Sequence, residues 1–241
     1  MARTVTKSSA RAIRRAGLFL DGPLAPRALE SYTSSGRYTG AWFECAGRPS
    51  DPATGAPVDP SPSRFSVEDL TSLALLDVGI QPKTMIELLD RNTEIASLLG
   101  RIDPSLRLAD APDPRDESEG PWVPAGQLWK VLRSVPQVGR TRASKLMARK
   151  RPQLIPTFDR HIADGLRLTK HDNDWLIMQQ VVRAHAQRLT ELQFELQANH
   201  PGEGRLRALS QLRVLDIIIW MRSHGAGQSD PGLLLELRSD A

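Results

Sequence analysis

The chain has 241 residues, 40% of them hydrophobic, with 32 Lys and Arg against 28 Asp and Glu and a formal net charge of +4. That length can bury a sizeable core and predicts one compact unit with two lobes, while the mild positive surplus favours an anionic partner. Cys45 is the only cysteine, which excludes a disulfide framework and a four-cysteine iron-sulfur cluster and fits a reducing cytoplasm.

At the N-terminus, M-A-R-T-V-T-K-S-S-A-R-A-I-R-R is basic, and only the short L-F-L run follows it. That is too little for a signal-peptide core or a membrane span, so the segment reads as a loosely docked or flexible arm. Next, G-R-Y-T-G-A-W-F-E gathers Tyr38, Trp42 and Phe43 in a chain with 5% aromatic residues. These side chains either anchor the segment to the core or offer flat surfaces to a ligand. Residues 49–62 hold Pro49, Pro52, Pro57, Pro60 and Pro62 among Ser, Asp and Gly, and read as a loop. Residues 1–65 are therefore taken as an N-terminal segment.

A helical lobe is expected over 66–156. Ser66 with Asp69 resembles a capping box and opens V-E-D-L-T-S-L-A-L-L-D-V. K-T-M-I-E-L-L-D and E-I-A-S-L-L-G follow as helices. The acidic loop D-A-P-D-P-R-D-E-S-E-G-P comes next, on a face remote from any phosphate partner. A C-terminal helical lobe over 157–241 is expected to pack with the N-terminal segment. It carries a long helix from about Asp174 to Leu196, the breaker H-P-G-E-G, and another helix from about Leu206 to Met221. The fold class is mainly α.

The most informative stretch runs from Val135 to Ile162. A-G-Q-L-W-K-V-L-R-S before it and T-R-A-S-K-L-M-A-R-K within it both carry apolar residues at helical spacing, which places a helix-hairpin-helix at 125–151. Pro136 stiffens the turn between them and Gly139 is free to take a positive φ. Such a turn aims backbone N–H groups at one point and turns a positive helix end outward, a geometry that binds phosphate. Around it stand Arg140, Arg142, Lys145, Arg149, Lys150 and Arg151 with no intervening acid. They read either as backbone contacts to a nucleic acid or as a solvated basic helix. Asp159 follows Ile155, Pro156, Thr157 and Phe158, where a plain helix N-cap would also put an acid.

V-P-Q-V-G-R-T-R-A followed by Asp159, Arg160, His161 and Ile162 resembles the helix-hairpin-helix and downstream aspartate of the endonuclease III-like (HhH-GPD) DNA glycosylase superfamily. In that family a hairpin L-P-G-V-G-x-x-T-A precedes D-x-H-[VI] at the same interval. The likeness covers about thirty residues, and the whole chain also resembles an uncharacterised bacterial branch that carries this hairpin and lacks an iron-sulfur cluster. It implies a cleft between lobes, double-stranded DNA held by Gln137, Val138, Gly139, Arg140, Arg142 and Lys145, and a base flipped toward Tyr38, Trp42, Phe43 and Glu44. Asp159 would be the catalytic carboxylate, stabilising the sugar cation and orienting water. Gln137 stands where the family has glycine, so either one backbone N–H is aimed differently or Gln137 itself takes a left-handed conformation at some cost. Thr141 stands where strand-cleaving members carry a Schiff-base lysine, so the resemblance implies a monofunctional glycosylase.

Other constellations are weaker. His171, Asp172, Asn173 and Asp174 resemble the start of a helix more than a metal site, and no metal or other cofactor is expected. Asp216 in L-R-V-L-D-I-I-I-W-M falls on a core stripe with Leu215, Ile218 and Trp220 and would need a partner such as an arginine. It is a second-choice functional acid. The reading reached from sequence is a monomeric, cytoplasmic, nucleoid-associated enzyme with no membrane partner. It would excise a damaged or modified base in repair or in defence against phage DNA. The alternative is a non-catalytic helix-hairpin-helix protein that binds DNA within a repair or defence assembly.

Overall fold

The computed structural model of the chain describes residues 6–116, 119–170 and 173–225. Among them the fold is mainly α, with no strand and one isolated bridge between Ser50 and Pro57. None of the described helices is long and apolar enough to cross a membrane. In chain order they are α1 (Lys7–Leu20), α2 (Leu24–Ser34), α3 (Val67–Thr71), α4 (Pro82–Asp90), α5 (Asn92–Leu99) and α6 (Trp122–Ser134), then α7 (Arg140–Lys150), α8 (Arg160–Leu166), α9 (Asp174–Ala184), α10 (Ala186–Asn199) and α11 (Gln211–Trp220).

From Thr6 onward the N-terminal segment is a docked helix and not a loose arm. Thr6 caps α1 by accepting from the Ser9 N–H at 3.1 Å, and Ala12, Ala16, Phe19 and Leu20 are buried. These residues recur at helical spacing and form an apolar stripe that the intervening basic residues obscure in the sequence. The stripe packs on α8, α9 and α11. Helix α11, capped by Ser210, is buried along almost its whole length and also packs on α2, α8 and α10. The helix expected from Asp174 onward is two helices, because the chain breaks at His185 (φ −117°, ψ 18°). There the imidazole Nε2 lies 2.9 Å from the Ile13 carbonyl, so the bend serves the docking of α1.

Helices α3 to α7 pack chiefly on one another. The capping box forms: Ser66 accepts from the Asp69 N–H at 3.2 Å, and Asp69 accepts from the Ser66 N–H at 3.0 Å. The helix it opens is shorter than expected. It tightens into a 3-10 turn over Ser72–Leu76 and stops at Asp77, which has a left-handed φ of 55°. The acidic loop is bound to α9, where the Gln179 amide donates to the carbonyls of Leu108, Ala111 and Pro112.

The basic run of α7 divides along the helix. Its C-terminal half is buried and structural, which corrects the expectation of six exposed cations available to phosphate or solvent. Arg149 pairs with Asp69 at 3.0 Å and also donates to the carbonyls of Phe43 and Ala46. Lys150 donates to Asp59 and to the Ser61 carbonyl, both at 3.0 Å, and pairs with Asp69. Arg151 donates to the carbonyls of Ile102 (2.9 Å) and Pro62 (2.7 Å). A proline-rich loop cannot satisfy its own carbonyls through regular structure, and these cations supply the missing donors.

Candidate active site

Helices α6 and α7 are joined by a tight turn. Val138 N–H donates to the Val135 carbonyl at 3.0 Å, and Gln137 takes the left-handed conformation with φ 67°. Its amide reaches Gln81 Oε1 at 2.9 Å. Pro136 and Gln137 are exposed and Val138 is buried beneath them. Gly139 does not take the expected positive φ, which falls on Gln137 instead; at φ −76° it is the N-cap of α7 and supplies no side-chain cap, so the helix's first amides have no capping oxygen from their own N-cap residue. Arg142 folds back onto the turn, donating to the carbonyls of Gln137 (2.7 Å) and Gly79 (2.9 Å). Arg140 pairs with Asp174 and stacks over the Phe158 ring at 4.3 Å.

One turn further along α7, Ser144 fixes the segment that carries Asp159. Its hydroxyl accepts from the Phe158 N–H and donates to the Phe158 carbonyl, each at 3.0 Å. Asp159 then caps α8, with Oδ1 accepting from the N–H groups of His161 (2.9 Å) and Ile162 (3.1 Å). Its other oxygen lies 3.5 Å from Lys145 Nζ. Lys145 is not on the outer face beside the turn. It is buried, and its ammonium donates to the Leu76 carbonyl at 3.3 Å.

Asp159 and Lys145 open on a cleft of about 660 Å³. Tyr32 and Tyr38 stack on one side with centroids 5.2 Å apart, and Trp220 stands edge-on to both. His161 packs edge-on to Trp220 at 6.2 Å. The Tyr38 hydroxyl is buried and makes no hydrogen bond among the described residues. Arg37, Arg160 and Asp77 also line the cleft. The Thr39 hydroxyl donates to the Leu75 carbonyl at 2.8 Å, which joins the wall bearing Tyr38 to the turn that receives Lys145.

Arg213 organises the floor. It donates to the Tyr32 hydroxyl (2.9 Å) and the Gly40 carbonyl (3.0 Å), and forms ion pairs with Glu44 (2.7 Å) and Asp216. Burial pulls its guanidinium down, but Glu44, Tyr32 and Asp216 outweigh that and hold the proton more firmly than usual. Burial pushes the Tyr32 phenol up to about 12 and raises the carboxyls of Glu44 and Asp216 against the pull of Arg213.

Of the four aromatic-segment candidates, only Tyr38 lines this cleft. Trp42 is 51% exposed and covered by Arg205, while Phe43 and Glu44 lie behind the floor and line a separate small pocket with Arg149. A 3-10 turn over Thr39–Trp42 separates them, so neighbours in sequence face different sides. Tyr32 and Trp220 join Tyr38 although the sequence assigned neither to a site. Trp220 sits at the end of an apolar stripe and reads as core, and nothing in the sequence distinguishes Tyr32 from an ordinary helix anchor. His171 and Asp172 lie outside the described residues.

Among the described residues the fold is mainly helical, with a tight turn between α6 and α7 beside a carboxylate-bearing, aromatic-walled cavity. Residues 25–223 match the model of a family of unknown function, DUF6308, and the chain belongs to that family. Neither the curated proteins nor the solved structures contain a match to it.

Proposed function

We propose that the protein is a DNA glycosylase of the helix-hairpin-helix kind. It would bind duplex DNA across the α6–α7 turn and excise a flipped base by hydrolysis, leaving an abasic site. The carrying observation is the position of Asp159: a tie from Ser144 of α7 to the backbone of Phe158 holds the segment on which Asp159 lines a cavity walled by Tyr32, Tyr38 and Trp220. Cleavage of an N-glycosidic bond develops positive charge on the sugar, and a fixed carboxylate stabilises that charge and orients the attacking water. Stacked phenol rings and an indole edge suit a flat heterocycle. The uncapped start of α7 and its flanking Arg140 and Arg142 supply phosphate contacts. In this reading α3 to α7 form one lobe and the remaining helices the other, with the cleft between them.

One observation favours the non-catalytic alternative. Asp159 accepts two backbone N–H bonds, which is a complete structural role. Asp159→Asn separates the two readings because asparagine caps a helix about as well as aspartate. Free bases released from ordinary, alkylated, deaminated and phage-modified DNA are identified by mass spectrometry. The enzyme reading expects a base released by the natural protein, a loss of at least about 100-fold in the variant, and DNA binding retained. Hairpin-dependent binding with no base released from any of these DNAs would establish the binding protein instead.

A further inference from the structure

We propose that Asp216 stores a proton on the floor of the cleft and passes it to the departing base. This rests on the glycosylase reading and adds an acid to its carboxylate. Asp216 and Arg213 line the cleft together with Asp159 and Lys145, and Glu44 lies behind Arg213. The Lys145 ammonium is engaged with Asp159 at 3.5 Å. One guanidinium, that of Arg213, then faces two buried carboxyls, Glu44 and Asp216. Glu44 also feels the charge of Arg149 behind the floor, whereas Asp216 looks toward the carboxylate of Asp159. Of that pair only Asp216 lines the cleft. A proton on Asp216 relieves the charge of two buried carboxyls that share the one Arg213 guanidinium, against the pull of Lys145 and of the Thr157 hydroxyl. The raised carboxyl of Asp216, pushed up by burial and by Asp159, agrees with this.

Around Asp216 stand Arg213 on its own helix, Tyr32 on α2, Lys145 on α7, Asp159 and His161 at the head of α8 and the Thr157 hydroxyl, with Glu44 behind Arg213, and Arg37, Asp77 and Arg160 line the same cleft. In the reaction the bond between the sugar C1′ and the base nitrogen breaks, and its electron pair goes to the base. A ring nitrogen of the base takes the Asp216 proton. Water adds its oxygen to C1′ and gives a proton to Asp159, and that proton then returns to Asp216 through the cleft. The sum is one water consumed, one base released and one abasic sugar formed.

Difference infrared spectroscopy of the full chain near neutral pH reads the C=O stretch of a protonated carboxyl. The band is expected in the natural protein, lost in Asp216→Asn and kept in Glu44→Gln. Its absence from the natural protein, or its loss only in Glu44→Gln, overturns the proposal. If a variant does not fold, ¹³C-carboxyl labelling of aspartate in the natural protein decides: the band must shift, and an unshifted band assigns the proton to glutamate and overturns the proposal. In the base-release assay, Asp216→Asn should slow turnover about 100-fold for bases that leave as neutral heterocycles. It should spare alkylated purines whose ring already carries a positive charge. Equal loss on both classes refutes the donor role. If no DNA yields a free base while the band belongs to Asp216, the glycosylase reading fails and takes the donor role with it, although the stored proton stands.

Discussion

Gln137 holds a left-handed φ of 67° at the apex of the turn, with only an exposed amide contact to Gln81 in return. A non-glycine residue there is strained by roughly 1–2 kcal/mol, and a glycine removes the strain while loosening the unfolded chain. Gln137→Gly is therefore expected to raise stability by about 1 kcal/mol, read as a shift in the denaturation midpoint at unchanged slope. A lower midpoint would show that the Gln81 contact outweighs the backbone strain. The sequence disclosed this residue because the hairpin pattern made a glycine conspicuous by its absence. It could not disclose Lys145 in the same way. Position in a basic run predicts solvent, and only the fold turns that face of α7 inward.

Under the proposed function helix α7 has a separate task at each end, and substitutions should separate them. Arg149→Ala leaves Asp69 short of a cation in a dry setting and removes donors from two loop carbonyls, so it should cost about 3–5 kcal/mol of stability. Arg142→Ala, on the exposed turn, should change stability by less than about 1 kcal/mol. It should weaken DNA binding and lower the salt dependence by about one counterion. Thermal melts and binding titrations over a salt series measure both. A destabilised Arg142 variant with an unchanged salt slope would contradict the division. Helices α4, α5, α6 and α7 were legible to within a few residues because apolar residues recur there at helical spacing. The break at His185 was not, because the signal for it is a distant carbonyl on Ile13. The 3-10 turn that sends Tyr38 and Phe43 to opposite sides was equally hidden, since spacing alone fixes no side for a short irregular segment.

At the scale of the whole molecule, its buried carboxyls set opposing pH limits. Burial is the largest influence on Asp69 and raises it, but Lys150, the Ser66 amide and Arg149 together outweigh burial and hold it below the ordinary range. Its contribution to stability is present above the unfolded value of about 3.9 and disappears as pH falls through the lower folded value. Burial raises Glu44 and Asp216, so their contribution is present below the ordinary carboxylate range and is lost as pH rises through their folded values. Melting temperature against pH should therefore crest in mildly acidic solution, and Asp216→Asn should flatten the neutral side of the crest. A curve still rising toward neutrality would contradict this account. The mainly helical architecture could be read from periodicity. The joining of Asp69, Arg149, Lys150 and the proline-rich loop could not, because those partners are far apart in the chain and no local pattern connects them.

The dry hydroxyl of Tyr38 sets a condition on whatever enters the cleft. A guest of the right outline with only carbon along that edge leaves the hydroxyl as it was, whereas a guest with a nitrogen or oxygen there ends its isolation. The difference is on the order of 1–3 kcal/mol, about a ten- to hundredfold preference. The cleft would then choose between two rings of equal size by a single atom on the rim of each, and a phenylalanine at position 38 would leave it unable to tell them apart.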